Sequence, residues 1–337
     1  MEKSRFYEKA YGCLLASAIG NALGHPMEGR SWQQIEEKLG RVTDIMNPDD
    51  VSAEDDNQAG LFICTAYKEK GGRISPEDLA KVWLRDMNPL NFFFCMKNSY
   101  ELLKQGIPPR LTGILNIVTG STVMCIAPVG IYNAADPDSA YMDAVDVSYM
   151  YQRGLDVDVA ALMAVGVAEA MRPGASVDSV LKAIMDRAPK EPFVTFNERS
   201  PNNIYDTLQK ALDIASKYDD VFAVRAPLYE NCLQWDAIDP LEVLTLTLAI
   251  FKVANGNTEQ AIIGAANTGR DADTLPNLNG ALCGALNGIS SVPERWINSL
   301  NPKDVAIFQA AAQGITDVAL AKARRMSEIG PAVLTMG

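Results

Sequence analysis

Two short acidic segments carry the residue types best suited to chemistry in this chain: Glu54-Asp55-Asp56-Asn57 and Asp271-Ala272-Asp273-Thr274. Each sets adjacent or alternate carboxylates beside a neutral oxygen-bearing side chain, directly ahead of a helical stretch. If the two meet in space, four or five carboxylates converge, and like charges that close cannot all stay ionised without a counter-charge. A pair of hard divalent cations supplies it, because Mg²⁺ and Mn²⁺ take carboxylate, hydroxyl and water oxygens. Two such ions about 3.5–4 Å apart orient a substrate hydroxyl and activate water. The plainer alternative is that each motif caps a helix, as acids ahead of helices routinely do. Asp49-Asp50, Asp136-Pro137-Asp138 and Asp219-Asp220 read as caps of that kind.

Other chemistries find little support. His25 is the sole histidine, which excludes any mechanism needing two. It reads as a loop residue beside Glu28, with a substrate contact as its alternative. No G-x-S-x-G elbow or P-loop is present. The six cysteines, Cys13, Cys64, Cys95, Cys125, Cys232 and Cys283, include no C-x-x-C pair. Most lie in apolar stretches, where free cysteine behaves as a small hydrophobe, so structural zinc is not expected and a reduced, cytoplasmic setting is.

A formal net charge of −12 argues against nucleic acid as partner, since phosphate backbones call for clustered Lys and Arg. It leaves room for a phosphorylated small molecule. Lys3, Arg5 and Lys9 precede an apolar run of only four residues, Gly12–Leu15, ahead of Ala16-Ser17-Ala18. Secretory cores need about 7–15 such residues, so export is not expected. Nor is a membrane span, for which about 18 apolar residues in a row are required.

The elements that must position the acids are helical. Tyr7–Leu23 is small or apolar on nearly every face, and Gly12, Ala16, Gly20 and Gly24 recur every four residues to make a flat packing seam. Acids before it, Lys68 and Lys70 in its last turn and Gly71-Gly72 after it delimit a helix over Asn57–Lys70. Similar patterns predict helices over Pro76–Arg85, Phe94–Gln105, Ser121–Asn133, Ser139–Gln152, Val157–Met171, Val177–Arg187 and Ile204–Lys217. They continue over Val221–Gln234, Pro240–Ala254, Thr258–Asn267, Thr274–Leu286 and Asn301–Arg325. Asn257 and Gln260 form a capping-box-like pair, and Asp273 stands as a cap ahead of Pro276. Pro189–Asn203, with three prolines, reads as a surface loop. The expectation is an all-α chain forming one domain over residues 1–337.

In order along the chain, these motifs resemble the ADP-ribosylglycohydrolase family, of the type that activates dinitrogenase reductase. The run 12–28 (GCLLASAIGNALGHPME) is similar to the family's opening Gly-rich helix and following glutamate, here Glu28. Glu54-Asp55-Asp56 occupies the place of its Thr-Asp-Asp motif. The run 120–130 (GSTVMCIAPVG) is similar to its central Gly-rich substrate loop and helix. The run 267–274 (NTGRDADT), followed by 280–288 (GALCGALNG), is similar to its closing Asp-x-Asp-Thr signature and helix.

This resemblance implies a compact multi-helix orthogonal bundle with a central cleft holding two Mg²⁺ or Mn²⁺ ions. The implied ligands are Asp55, Asp56, Asp271, Asp273 and Thr274, with Glu54 where threonine is usual; Gly120 and Ser121 are implied to bind substrate. The implied reaction is hydrolysis of an N-glycosidic bond to ribose, in an ADP-ribosylated protein or a ribosylated small molecule. Glu28 or Asp56 is the expected base toward water as the bond opens through an oxocarbenium-like state.

Glu54 and four further departures cluster near the implied substrate. Asn21 stands for a frequent aspartate and Cys125 for a frequent basic residue. The stretch 148–151 (SYMY) lacks a mid-chain histidine, and Arg270 replaces a common glycine. Arg270 either grips a substrate phosphate or carboxylate or pairs with a neighbouring acid. Three alternatives stay open: a nucleoside-like N-riboside substrate, a metal-dependent phosphohydrolase, or a catalytically silent binding or structural protein like the family's lens crystallins.

Overall fold

A computed structural model describes residues 4–49, 51–195 and 198–336; Lys3 and Asp50, named above, lie outside these. The chain runs through α1 (Arg5–Gly24), α2 (Trp32–Leu39), α3 (Asp55–Lys70), α4 (Pro76–Asp86), α5 (Phe94–Lys104) and α6 (Pro109–Thr112). Next come α7 (Ala127–Tyr132), α8 (Pro137–Ser148), α9 (Leu155–Ala170) and α10 (Val177–Met185). An antiparallel hairpin follows, β1 (Pro192–Thr195) with β2 (Glu198–Asn203). The remainder is α11 (Ile204–Ala215), α12 (Arg225–Cys232), α13 (Pro240–Val253), α14 (Thr258–Ala266), α15 (Thr274–Asn287), α16 (Glu294–Ser299) and α17 (Pro302–Leu334).

Among the described residues the regular elements are helices apart from that strand pair, which corrects the reading of 189–203 as plain loop. No described helix is long and apolar enough to cross a membrane.

Packing centres on α1 against α15. The glycine seam explains why these two helices approach so closely. A Cβ at Gly20 would collide with the Pro276 carbonyl, one at Gly24 with that of Ala272, and one at Gly280 with that of Ala16. The contacts run antiparallel, 12 with 284, 16 with 280, 20 with 276 and 24 with 272. The seam therefore seats the end of α1 against the 271–274 motif. Helices α9 and α13 carry apolar residues around their whole circumference, with a few buried polar ones such as Asp156 and Glu242, and are buried along almost their whole length.

Several predicted elements shift, each for a local reason. The helix expected over Ser121–Asn133 is instead a 3₁₀ turn, Val123–Cys125, followed by α7. Pro128 lacks an N–H and would clash with the carbonyl four residues back, so it sits in the first turn of α7 rather than inside a longer helix. The helix expected over Ser139–Gln152 starts two residues earlier, where Asp136 accepts from Ser139 N at 3.1 Å with Pro137 in the first turn. The one over Val221–Gln234 shrinks to α12, with Asp220 capping the turn ahead of it through Phe222 N at 2.8 Å. Helix α2 went unread although Ser31 and Gln34 form its capping box. Asn257 does cap α14, accepting from Gln260 N at 2.9 Å.

Candidate active site

The two acidic motifs, some two hundred residues apart in sequence, meet at the C-terminal end of α1. Glu54 is the N-cap of α3, its Oε2 accepting from Asp56 N at 3.1 Å. Asp55, in the first turn, accepts from Phe93 N at 2.9 Å. Asp56 faces inward, and its Oδ2 accepts from Thr274 Oγ1 at 3.1 Å and Asn277 Nδ2 at 3.2 Å. Asn277 is itself held by Ser17, whose hydroxyl donates to its Oδ1 at 2.5 Å. The Asn21 departure has a structural partner: Asn57 donates to Asn21 Oδ1 at 3.3 Å, locking the start of α3 to α1.

The second motif hangs on a strained loop. Gly269 and Arg270 both adopt positive φ, 77° and 65°, the latter costly for a residue with a Cβ. What holds them is a clamp from residues 29–31. Arg270 N donates to Arg30 O at 2.7 Å, and Gly29 N donates to Arg270 O at 2.9 Å. The same clamp brings Glu28 to the acids.

Carboxylate oxygens of Glu28, Asp271 and Asp273 lie within 4.8 Å of one another, as do those of Glu54, Asp55 and Asp56. Asp273 also groups with Glu54 and a His25 nitrogen at that spacing. Asp273 corrects an expectation: it occupies the N-cap position of α15 yet makes no capping bond. Its Oδ1 is buried with no hydrogen-bond partner, an arrangement that ordinary capping would not produce.

Six carboxylates thus share one site, and no described lysine or arginine pairs with any of them. Among the described residues the sole basic contact is His25 Nδ1, 3.9 Å from Asp273 Oδ2. The electrostatics follow. Burial, with the neighbouring charges added, pushes Glu54, Asp56 and Asp271 well above the usual carboxylate range. Asp273 chiefly, then burial, raises Glu28, while the Asp273 side chain raises His25. Protons can relieve such repulsion, but so can cations. The hard-oxygen donor set and the orphaned Asp273 oxygen fit divalent ions, and Glu28, Glu54, Asp55, Asp56, Asp271 and Asp273 are the residues able to hold them.

The cleft between these acids has a volume of about 70 Å³, enough for ions and water with the body of a ligand lying outside. Its far wall is Thr119, Gly120, Ser121, Met124 and Ile238, with Phe93 at the edge. Gly120 N donates to Ile238 O at 2.9 Å, and the Ser121 hydroxyl pairs with that of Thr119 at 2.7 Å.

Arg270 does not line this cleft. Its guanidinium forks onto Glu242, Nε to Oε1 at 2.7 Å and Nη2 to Oε2 at 3.0 Å, and Glu242 is fully buried. Of the two alternatives for Arg270, pairing with a neighbouring acid is the one observed. Sequence reasoning missed Asp156. Fully buried at the start of α9, it accepts from Thr122 N at 3.0 Å and Val123 N at 3.4 Å, and so pins the Gly120–Ser121 wall. Its only signal was an acid in a first helical turn.

The sequence profile of a family described as ADP-ribosylglycohydrolase matches residues 2–328. The chain belongs to the ADP-ribosylglycohydrolase family. Family membership implies a glycoside hydrolase. An uncharacterized protein of Archaeoglobus fulgidus is 23% identical over 307 residues, covering 88% of this chain and 93% of its own length. The uncharacterized protein YegU of Escherichia coli is 24% identical over 343 aligned residues, covering 95% and 98%. A solved ADP-ribosylglycohydrolase-related protein complex shares the fold, with a TM-score of 0.69 over 93% of this chain and 99% of the other at 18% identity.

Proposed function

We propose that this ADP-ribosylglycohydrolase relative hydrolyses the N-glycosidic bond between ribose and an ADP-ribosylated acceptor, with two divalent cations, Mg²⁺ or Mn²⁺, held by Glu54, Asp55, Asp56, Asp271, Asp273 and Thr274. The observation that carries the reading is the convergence of six carboxylates on one small site where, among the described residues, no lysine or arginine pairs with them and His25 alone offers a partial counter-charge. Bound there, the cations supply the missing charge, orient vicinal ribose hydroxyls and make water a better nucleophile.

The chain's own residues divide the remaining work. Asp56 Oδ2 already accepts two hydrogen bonds, which fixes its carboxylate across the α1–α3–α15 junction. Glu28 sits exposed at the cleft edge beside Asp271 and Asp273, so it can reach water from the solvent side. Glu28 is therefore the better candidate base, with Asp56 the alternative. Gly120 and Ser121 form the opposing wall against which a ribosyl group would rest.

The test is hydrolysis of ADP-ribosyl-arginine, ADP-ribosyl-serine and free nucleosides with Mg²⁺ or Mn²⁺ added, read by mass. Release of ADP-ribose that stops on chelation supports the proposal. Cleavage of nucleosides alone would reassign the substrate to a small N-riboside. Calorimetric titration with the metals separates an enzyme from a silent binding protein, which has no reason to hold two ions.

A further inference from the structure

A second cavity of about 900 Å³ opens at the other end of α1, sharing no lining residue with the acidic cleft. Lys9, which faces it, stands twelve residues before Asn21, roughly 18 Å along the helix at 1.5 Å per residue. The volume lies in the range of small-molecule sites, about 300–1,000 Å³. Its walls are mostly apolar, with Phe6, Met171, Leu286, Leu320 and Met326 prominent. Set into them are three cations, Arg5, Lys9 and Lys322, against one carboxylate, Asp136.

Among the described residues, none of those three cations has an acid within ion-pair distance, in a chain whose net charge is −12. Backbone carbonyls take part of the charge. Lys9 Nζ donates to Ala170 O at 2.7 Å and Arg172 O at 3.3 Å, and Arg5 Nη2 to Asn287 O at 2.9 Å. Lys322 Nζ donates to Asn133 Oδ1 and stands 4.9 Å from the centre of the Tyr132 ring. An ammonium has three N–H donors, so each lysine keeps at least one for another acceptor. Lys9 is 6% exposed, and burial lowers its pKa to about 8, the mark of a charge without a counter-ion.

We propose that this cavity binds an amphipathic anion, its apolar chain along Phe6, Met171, Leu286 and Leu320 and its charged head on Lys9 and Lys322. An uncharged hydrocarbon would leave the ammonium groups with carbonyl and amide acceptors and, for Lys322, only the carboxylates of Asp136 and Asp143 beyond ion-pair distance, and a cationic amphiphile would meet three like charges. Only an anion with an apolar body satisfies both surfaces.

Isothermal titration of the full chain with dodecanoate, below its micelle concentration, tests this. One equivalent should bind saturably, with dodecanol weaker by roughly tenfold or more and dodecyltrimethylammonium not binding. Lys9→Met removes two carbonyl contacts and risks the fold, so Lys322→Met and the exposed Ala323→Trp are the deciding variants. Each should weaken dodecanoate roughly tenfold while keeping the helical circular dichroism of the parent. Three results overturn the proposal: no saturable dodecanoate binding, equal binding of all three probes, or undiminished binding in either Lys322→Met or Ala323→Trp. So does a dimer in sedimentation that Ala323→Trp dissociates, since a second copy would then cover the cavity.

Discussion

The Thr274 hydroxyl donates to Asp56 Oδ2 at 3.1 Å, joining side chains 218 positions apart at the junction of α3 and α15. That bond, with the one Asn277 donates to the same oxygen, ties the two motifs into one site. It also predicts how the site fails. Asp273→Ala removes one like charge from a crowded cluster, so without metal its melting temperature should equal or exceed the parent's. Mn²⁺ should stabilise the parent by about 2.7 kcal/mol at a hundredfold excess over Kd, and the variant far less. Differential scanning calorimetry with and without Mn²⁺ reads both. A variant still stabilised as much as the parent would remove Asp273 from the ligand set.

Metal affinity should fall on acidification. Glu54, Asp56 and Asp271 hold their protons well above the usual carboxylate range, and a cation must displace those protons to bind. In metal-free protein the same groups act on stability with the opposite sense. Their folded pKa exceeds the unfolded one, so their contribution is whole below about pH 4 and is lost as pH rises through the folded values. Melting temperature measured from pH 4 to 8 should therefore drift down without Mn²⁺ and less so, or upward, with it. Parallel curves in the two series would speak against cations in the cleft.

Arg270 tests whether a departure from the family pattern serves substrate or fold. Removing the guanidinium leaves buried Glu242 without its counter-charge, holding only the Gln234 N–H at 2.5 Å, which costs up to about 3–5 kcal/mol for pairs of this kind. Arg270→Met should lower the urea midpoint accordingly, and Arg270→Met with Glu242→Gln should recover much of the loss. A substrate-gripping arginine would behave otherwise, with KM rising and the midpoint kept.

What was legible in the sequence and what was not divide along physical lines. The meeting of Glu54, Asp55, Asp56, Asp271 and Asp273 could be anticipated from their order among the family-like motifs rather than from acidity alone, since Asp136-Pro137-Asp138 and Asp219-Asp220 are acidic clusters too. Most helices were readable because their apolar period is local. The partner of Arg270 was not readable, since Glu242 sits on a buried helix 28 positions away and nothing local links the two. Pro128 held the clue to the break before α7, but the apolar run around it masked the signal. The hairpin at 192–203 was hidden by its prolines. Asp156 was missed because its partners are backbone N–H groups, which have no side-chain signature at all.

Asp156 gives a clean pH prediction outside the acidic cleft. Burial raises it from 3.8 to about 7, against the pull of its Thr122 and Val123 hydrogen bonds. With the folded pKa above the unfolded one, its stabilising contribution is full below about pH 4 and is lost as pH rises toward 7. At 1.36 kcal/mol per unit the span is at most about 4 kcal/mol. Asp156→Asn keeps an acceptor for the loop and cannot ionise. Urea midpoints of the variant should fall less between pH 4 and 7 than the parent's, the remaining slope coming from Asp239, which burial raises to about 6, and from the raised acids Glu54, Asp56 and Asp271.

The seam between α1 and α15 makes the last prediction, because it ties packing to chemistry. A Cβ at Gly24 would run into the Ala272 carbonyl, between Asp271 and Asp273. The neighbour is backbone and cannot rotate aside, so either the helices part or the loop moves. Overpacking of this kind costs about 1–3 kcal/mol. Gly24→Ala should therefore lower the urea midpoint and also weaken Mn²⁺ binding, since the displaced carbonyl belongs to the acidic loop. Gly12→Ala, at the far end of the same seam against Gly288, should cost similar stability and leave Mn²⁺ affinity unchanged. Equal loss of metal binding in both variants would mean that general loosening, rather than the position of Ala272, controls the site.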